Sequence, residues 1–196
     1  MSYDHSSSAA KRGADLEAAI AALRDGGLVA YPTEGVYGLG CDAYDGRAVE
    51  RLLALKQRPL EKGLIVIAAS LLQLEPLLHP LDRDDRATLN ASWPGAVTWI
   101  VPAADDCPNW LTGGRATLAV RVPDHALARE LCQAFRGPIT STSANPSGQA
   151  ALSEADAVAA AFPEGLDYLL EGAVGGRSGP SEIRELATGK VLRGES

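Results

Sequence analysis

Leu16, Ala19, Ile20 and Leu23 recur at helical spacing, with Asp15 placed to cap the helix and Asp25-Gly26-Gly27 placed to stop it. A continuous apolar run at residues 28–31 predicts a short buried strand that Pro32 closes, and a Gly-rich segment with no strand assigned to it runs on to Asp42. After Asp45, Val49, Leu52, Leu53 and Lys56 fall on successive turns of a second helix, which Pro59 stops.

The same alternation of patterns continues. Residues 64–68 read as a buried strand, and residues 70–79 and 82–93 as helical stretches split by Pro80. Residues 97–101 and 118–122 read as strands and residues 125–135 as a helix carrying Leu127, Leu131 and Phe135. Residues 138–143 predict a strand running into the loop SANPSG, and Ser153 with Asp156 resembles a capping box for a helix ending at Phe162. Residues 166–170 predict another strand, and residues 182–186 and 190–193 flank Ala-Thr-Gly as a hairpin. Strands alternating with helices define an α/β class, and the terminal hairpin makes the sheet mixed. No internal repeat or long linker divides the chain, so residues 13–196 are expected to form a single catalytic domain behind a flexible polar tail of residues 1–12.

Composition narrows the classes of function. Apolar residues make up 46% of the 196, enough for a sizeable core, but aromatics are only 5%, so that core must be mainly aliphatic. The net charge of −7 argues against a protein that coats nucleic acid, without excluding a local basic patch. Three dispersed cysteines, Cys41, Cys107 and Cys132, form no CxxC pair or Cys/His cluster, which predicts a reduced, cytoplasmic chain and no protein-held metal. The polar start lacks the apolar core of a signal peptide, and no apolar run is long enough to span a bilayer.

Five segments could carry chemistry, and each has a plainer reading. PTEGVYGLG at residues 32–40 follows a strand and would let a ligand approach its backbone; it is neither a P-loop nor GxGxxG, and a turn-rich connection is the alternative. KQRP at residues 56–59 places Lys56 and Arg58 at a helix C-terminus, where cations complement the helix dipole. The crowding of Arg47, Arg51, Lys56, Arg58 and Lys62 also fits a polyanion such as triphosphate. In TLAVRVP, Thr117, Ala119 and Arg121 share one strand face and Leu118, Val120 and Val122 the other. A mid-strand Arg needs an anion, supplied by a structural salt bridge or by a bound carboxylate or phosphate. TSTSANPSG at residues 140–148 offers hydroxyls and amides that donate to phosphate oxygens, or an ordinary turn. The Gly-rich stretch from Gly175 to Arg184, with Arg193 beyond it, reads as a lid or as a surface loop. The three histidines form no catalytic set, Asp82-Arg-Asp-Asp85 reads as a solvated helix start, and the three tryptophans read as core or pocket wall.

The ordered set PTEGVYGLG, KQRP, LAVRVP, STSAN-SG, SEIR and LRG resembles the YrdC-domain family of threonylcarbamoyl-AMP synthases, in its short bacterial form, over residues 15–194. That resemblance implies a strongly twisted mixed sheet with flanking helices around an open concave face. It implies ATP contacts from Lys56, Arg58, Thr117, Ser143, Asn145 and Arg193, with Lys56 and Arg58 as the catalytic cations, and a threonine site from Thr33, Arg121, Ser141 and Ser181. Longer members carry a His where this chain reads LIVIA at residues 64–68, and many relatives have a Ser-Thr pair where it reads SEIR.

The activity so implied condenses L-threonine, bicarbonate or CO2 and ATP into L-threonylcarbamoyladenylate and pyrophosphate. The product serves N6-threonylcarbamoyladenosine formation in ANN-decoding tRNAs through a downstream transferase. Such chemistry needs alignment and charge neutralisation, with Mg²⁺ carried on the ATP phosphates. The competing reading is a non-catalytic RNA-binding module using the same basic concave face. A sugar-phosphate enzyme such as a dihydroxybutanone-phosphate synthase would need an acidic metal cluster that the sequence does not display.

Overall fold

The computed structural model describes residues 10–194. Ten strands form one sheet in the order β1-β8-β2-β3-β7-β4-β6-β5-β9-β10. The strands are β1 (Lys11–Gly13), β2 (Val29–Pro32), β3 (Tyr37–Gly40), β4 (Ile65–Ile67), β5 (Val97–Pro102), β6 (Thr117–Arg121), β7 (Ile139–Ser143), β8 (Tyr168–Leu170), β9 (Glu182–Glu185) and β10 (Val191–Arg193). The helices are α1 (Leu16–Arg24), α2 (Gly46–Leu55), α3 (Leu71–Leu74), α4 (Arg83–Ser92), α5 (Asn109–Thr112), α6 (Ala126–Phe135) and α7 (Ala155–Ala161). The twisted sheet is mixed: β4 runs parallel to β6 but antiparallel to β7, and β5 runs antiparallel to β6 but parallel to β9.

Local chemistry accounts for most boundaries. Asp15, Asp45 and Asp82 each accept two backbone N–H bonds at the starts of α1, α2 and α4. His125 caps α6 through Nδ1, which accepts from the Ala128 N–H at 3.4 Å. Alternation along β2 sends Leu28 and Ala30 to the side packed by α2 and α7, and Val29 and Tyr31 to the side packed by α1 and α6. A third apolar cluster gathers Val66, Leu74, Leu89, Trp99, Leu118 and Val120 under α3 and α4. Trp93 and Trp99 are buried in it, as core tryptophans should be.

Three expectations need correction. The Gly-rich segment after Pro32 is not all loop: Tyr37–Gly40 is a fully buried strand that pairs with β2 as a hairpin and with β7 on its other edge. Glycine is what lets it in, since a Cβ on Gly38 would lie 2.9 Å from the Tyr31 ring. The capping box before α7 does not form. Glu154 is the N-cap without a side-chain bond, and the Asp156 carboxylate instead accepts from Arg12 at 2.6 Å. The polar start expected to extend through residue 12 yields to structure at Lys11, where β1 pairs parallel with β8 and Arg12 also reaches Glu171 at 2.5 Å. The remainder of that expected tail, residues 1–9, lies outside the described residues.

Candidate active site

The strand alternation read at residues 117–122 builds the floor of a cavity. Leu118, Val120 and Val122 enter the core, while Thr117, Ala119 and Arg121 line an opening of about 350 Å³. Register puts matching positions beside them: Ile65 of β4 pairs with Ala119 on one side and with Ser141 of β7 on the other. Ser141 and Ser143 therefore present hydroxyls to the same space. Thr33 and Gly38 of the β2–β3 hairpin close one wall. Arg58, Lys62 and Arg115 form another, and Pro180, Ser181 and Arg193 supply the rim.

The lining carries Arg58, Lys62, Arg115, Arg121 and Arg193 and includes no Asp or Glu. In a chain of net charge −7 this is a strong local inversion of sign. Three of these cations, Arg58, Arg115 and Arg193, are held by backbone carbonyls, which orient their charge without cancelling it. Arg58 donates through Nε and Nη2 to the Gly63 carbonyl at 3.1 and 2.8 Å. Arg115 donates to the carbonyls of Glu61 and Thr112. Arg193 donates through Nε and Nη2 to the Ser181 carbonyl at 3.0 and 2.7 Å, and the Ser181 hydroxyl shares a 2.8 Å bond with Thr98. Burial, and then the charge of Arg115, lower the pKa of Arg58; burial, and then Arg121, lower that of Arg193. Like charges facing one another across a cavity favour an anion between them.

Arg121 is the most enclosed of these groups, its side chain 7% exposed. Its Nη1 lies 3.5 Å from Oε2 of Glu34, and its buried Nε has no partner. Arg121 thus has an ionic neighbour and still keeps a donor uncommitted. Thr33, whose hydroxyl donates to the Val36 carbonyl at 2.7 Å, lines the same cavity.

Two predicted contacts lie elsewhere. Lys56 and Asn145 are absent from the cavity lining. Lys56 stands at the end of its helix, as read from KQRP, but is only 5% exposed there. Its Nζ donates to the carbonyls of Ser143 and Asn145 and reaches Asn145 Oδ1 at 3.5 Å, 5.9 Å from the centre of the Phe162 ring. Burial, then the charge of Arg58, bring its pKa down to about 8. The Asn145 amide donates to the carbonyls of Pro146 and Gln149. Lys56 thus ties the end of α2 to the loop after β7. The crowded cations divide as well: Arg51 faces away, pairing with Asp167 at 2.9 Å. Sequence reasoning missed Arg115 and Glu34. Arg115 follows Gly113-Gly114 in a turn, and Glu34 sits within a motif whose glycines took the attention. Among the described residues no group of three or more His, Cys, Asp or Glu side chains could hold a metal, and no helix is long and apolar enough to cross a membrane.

Fold and site together define the class: an α/β protein with a cationic, hydroxyl-lined, acid-free cavity at one face of a mixed sheet. The chain belongs to the Sua5/YciO/YrdC family, whose model, described as telomere recombination, matches residues 21–194. It is 50% identical over 171 residues to the threonylcarbamoyl-AMP synthase of Cellvibrio japonicus, covering 87% of this chain and 90% of that one. It is 53% identical over 175 residues to the protein of the same name from Chromohalobacter salexigens, covering 89% and 94%. Among solved structures it matches P. abyssi Sua5 complexed with L-threonine, with a TM-score of 0.86 at 34% identity over 94% of this chain. It spans only 56% of that longer protein. E. coli YciO shares the fold, with a TM-score of 0.80 at 24% identity, covering 93% of this chain and 92% of that one.

Proposed function

We propose that this chain is a threonylcarbamoyl-AMP synthase, a nucleotidyltransferase that joins L-threonine, bicarbonate or CO2, and ATP. The observation that carries this reading is one acid-free cavity that unites a wall of cations with a buried, under-committed arginine fork. The names of relatives that share half of this sequence over most of its length support it.

In this reading Arg121 receives the threonine carboxylate, with Thr33, Ser141 and Ser181 around the amino acid. The threonine nitrogen bonds to the carbon of CO2, loses a proton and becomes a carbamate. A carbamate oxygen then bonds to the α-phosphorus of ATP as the bond from that phosphorus to the bridging oxygen breaks, and pyrophosphate leaves. Arg58 and Lys62 stand where they offset charge on the departing phosphates, while Thr117, Ser143 and Arg193 orient the nucleotide. Lys56 and Asn145 serve ATP by holding the Ser143 loop in place. The cavity offers hydroxyls but no carboxylates, so Mg²⁺ would enter on the phosphates rather than in a protein cage. The adenylate passes to a tRNA-modifying transferase in the cytoplasm.

The test is one incubation with ATP, in which pyrophosphate release is followed while threonine and bicarbonate are each left out. Release should require both. Equal release without either would reject the synthase and leave an ATPase or an RNA-binding module, the latter marked by RNA affinity that falls steeply with salt.

A further inference from the structure

Glu34 presents a puzzle of pairing. It lies in the turn between β2 and β3 and is 7% exposed, a costly place for a carboxylate. Its Oε1 accepts from the Asp124 N–H at 2.8 Å, but Oε2 makes no hydrogen bond and stands 3.5 Å from Arg121 Nη1. A pair serving stability alone would close into a two-point fork, since buried charges recover their desolvation cost only through good geometry. This one stays single-point and long, and leaves Arg121 Nε buried without a partner.

The backbone explains why the carboxylate cannot follow the guanidinium. The Glu34 carbonyl accepts from the Arg177 N–H, and the Thr33 carbonyl from the Gly175 N–H, both at 3.0 Å. A Cβ on the next residue, Gly35, would collide with the Gly179 carbonyl. Glu34 is therefore fixed at the junction of the hairpin turn, the segment after β6 and the Gly-rich loop. A like charge, Arg193, lines the same cavity and is held there by the Ser181 carbonyl. Arg121 therefore has a fixed negative charge 3.5 Å away and shares its cavity with a second cation.

We propose that Glu34 is a positioning residue for the amino-acid site: it holds Arg121 aimed into the cavity, at a distance that leaves the donors of the fork free for a substrate carboxylate. The proposal rests on the reading that Arg121 receives the threonine carboxylate. It carries a sign that separates it from simple charge competition. If Glu34 only competed with substrate for Arg121, neutralising it would tighten threonine binding. If it positions Arg121, Glu34→Gln keeps the oxygen for the Asp124 N–H, turns an amide donor toward the guanidinium and drives the fork out of line.

The experiment is calorimetric titration of L-threonine and of ATP, separately, into wild type, Glu34→Gln, Glu34→Asp and Arg121→Gln, with thermal unfolding of each. Glu34→Gln is expected to weaken threonine about tenfold and to change ATP by less than about twofold, with Glu34→Asp intermediate. Should Glu34→Gln not fold, Glu34→Asp carries the test, because it keeps the charge but withdraws Oε2 by one methylene. Threonine affinity that is unchanged or tighter in the folded Glu34 variants overturns the proposal. So does an equal loss for both ligands together with a lowered melting temperature, the mark of a purely structural residue. Unchanged threonine binding in Arg121→Gln would overturn the amino-acid site itself, and Glu34's role with it. Loss in Arg121→Gln without loss in the Glu34 variants overturns Glu34 alone.

Discussion

At Arg121 a single side chain carries two demands: it ends β6 between Val120 and Val122, which are in the core, and it lines the cavity itself. Lysine at this position keeps the charge but loses the planar fork. Arg121→Lys is therefore expected to cost about ten- to a hundredfold in threonine affinity, the worth of a charged hydrogen bond, with ATP binding nearly unchanged. Calorimetry with each ligand checks this, and normal threonine binding would return Arg121 to an ion-pair role. Its facing was legible in the sequence, because period-2 alternation places it opposite Leu118, Val120 and Val122. Its partner was not legible. Glu34 and Arg121 are distant in sequence, and only the hairpin turn, folded against the segment after β6, brings the two together.

At the scale of elements, the junction of α2 with the loop after β7 departs most from expectation. Lysine near a helix end is commonly a solvated complement to the dipole, and nothing local in KQRP signals otherwise. Burial of Lys56 arises from tertiary packing: the loop past Ser143 folds over the helix end and offers its carbonyls, with Phe162 beside them. Lys56→Ala should thus destabilise the protein, by about 1–3 kcal/mol at neutral pH for carbonyls left unpaired. The difference should also vary with pH. The folded pKa of about 8 lies below the ordinary lysine value of 10.5, so between these limits the unfolded chain binds the extra proton. The pH-dependent part of the Lys56 contribution is then fully present above the unfolded value and is lost as pH falls through about 8, while the carbonyl bonds persist at neutral pH. Urea unfolding at about pH 7 and about pH 9.5 should show wild type gaining on Lys56→Ala at the higher pH, and a pH-independent difference would contradict the burial argument. The helices with Asp caps were readable from sequence, whereas β3 was hidden by its glycines, which serve close backbone approach rather than a turn.

For the whole molecule, the alternation of strands and helices made the α/β class readable, and the terminal hairpin predicted a mixed sheet. Strand order was beyond reach, because neighbours such as β3 and β7, or β5 and β9, are distant in sequence. The gathering of positive charge was visible only as crowding along one stretch, and the fold redistributes it. Arg51 leaves for Asp167, while Arg115 and Arg193 arrive from remote segments. The resulting cavity wall has a cost at the end of the reaction cycle. Cations in a lining without Asp or Glu attract a polyphosphate whether it arrives as substrate or departs as product, and nothing in that lining repels it once the chemistry is over. Pyrophosphate should therefore linger, and escape rather than bond-making should set the pace of repeated turnover. A rapid-quench experiment should then show a burst of adenylate in the first turnover, formed faster than the steady-state rate. Absence of a burst would mean that the wall lets go as readily as it takes hold.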